Sequence, residues 1–160
     1  MRNICLIGLP YSGKSTFGYK LHKYIGKGFI DTDNIMKQKY NQSLSTIINK
    51  KGNQEFLKLE HNIIKSLSFN NCILSTGGSV IYNPLSMKYI KNELNCDIYH
   101  LFLTKQEFIK RIKCLNERGV IIDEGQSIED LYNFRIKLYE KYSDYLINAN
   151  NNIDIAVFNK

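Results

Sequence analysis

Gly8-Leu9-Pro10-Tyr11-Ser12-Gly13-Lys14-Ser15 has the spacing G-x-x-x-x-G-K-[ST], which builds a phosphate-binding loop. Before it lies the apolar run Ile4-Cys5-Leu6-Ile7, which reads as a buried strand. After it, Phe17, Leu21 and Tyr24 recur at helical spacing from Thr16 to Ile25. Strand, loop, helix is the context in which this motif works. The backbone amides from Gly8 through Tyr11, Ser12, Gly13, Lys14, Ser15 and Thr16, with the positive helix end, face phosphate. Lys14 is expected to reach the β- and γ-phosphates of ATP, and the Ser15 hydroxyl to ligate Mg²⁺.

A second set of groups suits phosphoryl transfer. Asp31 and Asp33 stand two apart at a strand end, so extended backbone points both to one side. One serves the magnesium shell; the other takes the accepting hydroxyl and its proton. Asp33 is also placed to cap a helix beginning at Asn34. Arg111 and Arg118 lie seven apart, and Arg118 enters a polar stretch; an arginine there swings onto phosphate oxygens or stays in solvent. Arg135 sits among Leu131, Phe134, Leu138 and Tyr139, and either grips a carboxylate or snorkels from the core face. His22, His61 and His100 form no metal-binding pair and read as structural.

Strands and helices must alternate to place these groups. Strands are expected at Asn3–Ile7, Gly28–Asp31, Asn71–Ser75, Asp97–Leu103 and about Leu146–Asn148. Helices are expected at Lys14–Ile25, Asn34–Lys39, Leu44–Asn49 behind Ser43, Gln54–Leu67, Pro84–Leu94, Lys105–Leu115 and Ile128–Tyr142 behind Ser127. A final helix starts near Ile153. The pattern predicts an α/β protein, with a parallel sheet covered by helices and ligands at the carboxyl ends of the strands. The glycine loop, Asp31/Asp33 and Gly77-Gly78 each follow a strand directly, so they gather at one sheet edge. The polar stretch Asn116–Gln126 is a mobile lid.

The 160 residues suit one domain, 1–160, long enough to bury a core. An apolar content of 43% with 23% charged residues is ordinary for a soluble fold, and no apolar run approaches a bilayer span. The short apolar N-terminal run does not read as a signal peptide, so a cytoplasmic location is expected. The net charge of +7 (22 basic against 15 acidic residues) is dispersed. It forms no basic stripe, so neither nucleic acid nor membrane is expected as a partner; the charge suits polyphosphate and an anionic small molecule. Cys5, Cys72, Cys96 and Cys114 form no C-x-x-C pair, which argues against zinc or a disulfide framework.

Taken in order, Gly8–Ser15, Asp31-Thr32-Asp33, Gly52…Phe56…Glu60, Ser75-Thr76-Gly77-Gly78, Arg111…Arg118 and Arg135…Leu138-Tyr139-Glu140…Asp144 resemble shikimate kinase, a small P-loop kinase family. The resemblance covers residues 2 to about 146. It implies a three-layer P-loop kinase fold with a central parallel five-stranded sheet, an acceptor-binding helical segment at about 33–61 and a lid at about 114–126. It implies ATP- and Mg²⁺-dependent phosphorylation of the shikimate 3-hydroxyl by a monomer. Carried over by position, Lys14, Asp33 and Arg118 are catalytic; Lys14, Ser15 and Asp31 serve phosphate and metal. Asp33, Gly77, Gly78 and Arg135 face shikimate, Arg118 is the lid arginine, and Arg111 lies against adenine.

Four departures bear on the acceptor. The family's arginine after the phenylalanine of G-E-x-x-F-R is Leu57 here; Lys58 beside it serves as a substitute cation for the shikimate carboxylate only if the helix shifts or its stem bends round, since one helical step turns a side chain by about 100°. The third glycine of the family's run is Ser79, which re-lines the acceptor pocket. Arg118-Gly119 replaces Arg-Pro, which loosens the lid. Lys137 replaces a proline, and the adenine-side proline near the C-terminus is absent. Two other readings stay open at this level: a related gluconate-like or polyol-acid kinase, and a nucleotide-binding regulator without turnover.

Overall fold

A computed structural model describes residues 2–114 and 119–158. Five parallel strands form one sheet in the order β2-β3-β1-β4-β5. They are β1 (Asn3–Ile7), β2 (Gly28–Asp31), β3 (Cys72–Ser75), β4 (Cys96–Phe102) and β5 (Tyr145–Asn148). Parallel strands need crossover connections, and helices supply them. These are α1 (Lys14–Ile25), α2 (Thr32–Tyr40), α3 (Leu44–Ser66), α4 (Pro84–Asn92), α5 (Lys105–Cys114) and α6 (Ile128–Tyr142).

β1 is central, and all five of its residues are buried, as a strand covered on both faces requires. Its register pairs Leu6 with Ser75 on β3 and Ile7 with His100 on β4. The strands therefore end together, and the loops after β1, β2 and β3 share one edge. The main core joins Leu6, Ile7, Leu21, Ile73, Leu74, Leu101 and Phe108. A smaller apolar cluster of Met36, Leu44, Ile47, Phe56, Ile63 and Ile121 joins α2, α3 and the segment before α6, with Leu57 packed against it.

Some element boundaries differ from the sequence expectation. Asp31, not Asp33, caps α2: its side chain accepts from the Asn34 amide at 3.1 Å, so the helix begins at Thr32. The two helices expected over 44–67 are both present within α3, and they meet at a kink at Gly52, whose φ of 80° is outside helical space. The last segment is a short 3₁₀ turn at Ile155–Phe158 instead of a helix from Ile153, and a further 3₁₀ turn, Val80–Tyr82, follows the Gly77-Gly78 pair.

Candidate active site

The loop between β1 and α1 wraps around Lys14. Its ammonium donates to the carbonyls of Gly8 (2.8 Å) and Leu9 (2.9 Å) and to Ser12 Oγ (3.4 Å). Tyr11 and Gly13 both adopt positive φ, which turns successive amides inward at the start of α1. No side chain caps that helix, so its first N–H groups are available to an anion.

Two clefts flank the loop. One is lined by Ser12, Gly13, Thr16, Phe17, Lys20, Arg111, Ala149 and the segment after it. Arg111 braces it: Nη1 donates to the Tyr11 carbonyl (3.1 Å), Nη2 to the Ala149 carbonyl (2.9 Å), and Nε to Glu107 (2.7 Å). Arg111 thus ties the phosphate loop to the end of β5, at the side expected for adenine.

The other cleft brings Lys14, Asp33, Gly77, Gly78, Ser79 and Arg135 together. Leu44, Ile48 and Phe56 of α3 form its apolar wall, and Gly119, Val120 and Ile121 line it as well. Arg135 is 1% exposed, which excludes the snorkelling alternative. Its Nε donates to Tyr82 Oη (2.8 Å) and its Nη2 to the Ile121 carbonyl (2.8 Å), and its guanidinium lies over the Tyr82 ring at 4.9 Å. Nη1 faces the Gly78 side.

Gly77 has a steric reason. A Cβ there would overlap Glu60 Oε1 and lie 2.9 Å from Asp33 Oδ1. Two carboxyl groups therefore crowd one backbone position. Glu60 is buried behind it, and both its oxygens accept from Ser79 Oγ, at 3.1 and 3.0 Å. Burial and the neighbouring Asp33 push the Glu60 carboxyl up to about 8, against the pull of Ser79, Arg135 and Lys14.

A magnesium site can be tested on the residues present. Asp31 uses one oxygen as the helix cap, while its Oδ2 and the Oγ of Ser75, its register partner across β2 and β3, are buried without a hydrogen-bond partner. Two orphaned oxygens beside the phosphate loop fit a hydrated divalent cation held with Ser15.

Lys58 is not brought into the cleft. Its side chain is 71% exposed and pairs with Glu55 at 3.4 Å on the solvent face of α3. One residue turns a helix by about 100°, and the site-facing direction belongs to Phe56 and Glu60. Arg118 lies outside the described residues. Glu60, Tyr82, Ser75 and Ile121 were not assigned roles from sequence. For Glu60 a signal existed: an acid at the spacing of the apolar Phe56, Ile63 and Ile64 face.

The shikimate kinase family model matches residues 10–160, nearly the whole chain. The chain belongs to the shikimate kinase family. A shikimate kinase of Clostridium botulinum (strain Loch Maree / Type A3) is 34% identical over 155 residues, 94% of this chain and 89% of that one. One of Helicobacter hepaticus is 31% identical, over 93% of this chain and 87% of its own. Among solved structures, the Acinetobacter baumannii shikimate kinase in complex with shikimate superposes with a TM-score of 0.83 at 26% identity, covering 98% of this chain and 87% of the other. The Aquifex aeolicus enzyme gives 0.79 at 30% identity, over 94% and 88%. As a family member the chain is a phosphotransferase, and its five-stranded parallel sheet is the three-layer P-loop kinase fold expected from the sequence. Among the described residues no helix is long and apolar enough to cross a membrane.

Proposed function

We propose that this chain transfers the γ-phosphoryl group of ATP to the 3-hydroxyl of shikimate, giving shikimate 3-phosphate and ADP. One observation carries the reading. Lys14 of the phosphate loop and Asp33 of α2 line the same cleft as Gly77, Gly78 and Arg135.

The nucleotide lies across the glycine loop, with its base toward Arg111 and Ala149. Lys14 leaves its loop carbonyls for the β- and γ-phosphates. Asp31, Ser75 and Ser15 would hold a magnesium ion, which would supply positive charge against the phosphates. Asp33 accepts the proton of the 3-hydroxyl as that oxygen bonds to the γ-phosphorus. The bond from the γ-phosphorus to its bridging oxygen breaks, and ADP keeps that electron pair. Arg135 faces the acceptor carboxylate through Nη1, because its other nitrogens are held by Tyr82 and Ile121. Arg118 reaches the transferring oxygens from the lid. Val120 and Ile121 cover the cleft and exclude water, which suppresses hydrolysis. The enzyme works as a cytoplasmic monomer.

A coupled assay with ATP, Mg²⁺ and shikimate tests this. ADP release dependent on shikimate is expected; none above background at millimolar shikimate overturns it.

A further inference from the structure

Leu57 and Ser79 are two departures from the family pattern that meet at one residue. An arginine at 57 would stand one helical turn before Glu60, at a spacing where side chains touch. Leu57 instead packs into the smaller apolar cluster. No cation on α3 turns toward Glu60: Lys58 pairs outward with Glu55, and His61 hydrogen-bonds Ser86. Glu60 is met instead from across the cleft, where Ser79 supplies one hydroxyl to both carboxyl oxygens. A glycine at 79 would have no group to give.

We propose that Ser79 is a positioning residue, which fixes the Glu60 carboxyl behind Gly77 and beside Asp33 and so does for Glu60 what a cation at position 57 would do. The inference rests on the proposed reaction only for its kinetic readout. Asp33 of α2, Arg135 of α6 and Lys14 of the phosphate loop are the charged groups that face Glu60, and Ser79 lies after β3. With Ser79 in place, Glu60 stays behind the glycine wall. Asp33 remains the carboxylate that addresses the accepting hydroxyl. Without it, Glu60 has no fixed rotamer, and a second acid competes for the space that Gly77 leaves.

The test is a double-mutant cycle of Ser79→Ala and Leu57→Arg, with Ser79→Thr as the conservative variant. Ser79→Ala is expected to raise KM for shikimate about two- to tenfold, the scale of a hydrogen bond between neutral groups, with a smaller change in kcat. Ser79→Thr keeps the hydroxyl and restores KM. With Leu57→Arg already present, Ser79→Ala costs under about twofold, because the guanidinium then holds Glu60. A merely structural serine would cost the same in both backgrounds, and that result overturns the proposal.

The second readout does not need an acceptor. Carbon-13 NMR follows the Glu60 carboxyl in the ligand-free protein. Its midpoint is expected to rise in Ser79→Ala, which removes a donor to the ionised form, and to fall in Leu57→Arg. The rise should shrink when both changes are present. An unmoved midpoint in Ser79→Ala overturns the proposal even if shikimate proves not to be the acceptor. A wild-type chain that titrates as expected but leaves shikimate untouched would instead retire the reaction.

Discussion

The Tyr139 hydroxyl donates a 2.6 Å hydrogen bond to the Gly78 carbonyl. It fastens α6 to the glycine turn that forms the floor of the acceptor cleft. Arg135 stands one turn before Tyr139 on the same buried face, so one bond sets the distance between the guanidinium and the glycines. Burial raises the Tyr139 phenol far above its ordinary value, so it keeps its proton and remains a donor. Tyr139→Phe leaves the Gly78 carbonyl without this partner. A loss of about 1–3 kcal/mol of stability is expected in urea denaturation. KM for the acceptor should rise while KM for ATP holds, since Arg111 and the phosphate loop are braced independently. Equal increases in both constants would show that α6 does not address the acceptor half selectively.

Lys14 holds three oxygens of its own loop. Those bonds shape the loop around a point charge. Lys14→Ala removes both the shape and the charge. Turnover is expected to fall roughly 100- to 1,000-fold, the scale for losing one group aimed at developing charge. Lys14→Arg should not rescue it, because a planar fork does not fit a cradle built for a compact ammonium. Single-turnover kinetics separate this from weaker binding; a change confined to KM for ATP would remove Lys14 from the chemical step.

Much of the nucleotide half was legible because its signal is local. A strand, a glycine loop and a helix follow one another within Asn3–Ile25, and no distant contact is needed to recognise them. The acceptor half depends on partners far apart in the chain. Ser79 lies 19 residues from Glu60, Arg135 lies 53 from Tyr82, and neither contact has a periodic signature. The cap of α2 shows the same limit at short range: Asp31 and Asp33 both flank the helix start, and the register of β2 against β3 decides which one accepts from Asn34. Lys58 is a different case. The turn of about 100° between successive helix positions already points it away from the direction of residue 57, and its side chain points to solvent.

Gly119 stands against the start of α3. A Cβ there would lie 2.5 Å from the Ser45 nitrogen and 2.7 Å from its Cα, and these are backbone atoms that cannot swing aside. The departure from proline therefore lets the lid approach α3 closely, beside the bonds from Asn53 to the Ile122 carbonyl (3.1 Å) and from Arg135 to Ile121. Gly119→Ala should hold this part of the lid off by about 1–3 kcal/mol, a cost typical of overpacking. A fall in kcat/KM of about fivefold to a hundredfold is expected, with faster amide exchange at Val120–Ile122 and an unchanged melting temperature. Retained kcat/KM with unchanged exchange would mean that this approach is not needed for turnover.

Two buried groups give the folded chain opposing pH dependences. The Glu60 carboxyl keeps its proton up to about 8 in the native state, where its ordinary value is 4.5. Between these values the native state binds the extra proton, so stability is full below about 4.5 and is lost as pH rises through 8. His100 runs the other way. It is completely buried, stacked on Tyr139 at 4.9 Å with neither ring nitrogen hydrogen-bonded, and burial with nearby Lys14 lowers it from 6.5 to about 4. Its contribution is full above 6.5 and is lost as pH falls toward 4. From about 4.5 to 6.5 the two slopes oppose each other, and from 6.5 to 8 that of Glu60 acts without opposition from His100. Urea denaturation of the ligand-free protein should therefore show a plateau, then declining stability between pH 6.5 and 8. Glu60→Gln keeps an acceptor for Ser79 but cannot ionise, so it should abolish the alkaline decline and expose a fall below pH 6.5. If the wild-type chain is flat from 6.5 to 8, Glu60 ionises near its ordinary value and a cation reaches it in solution.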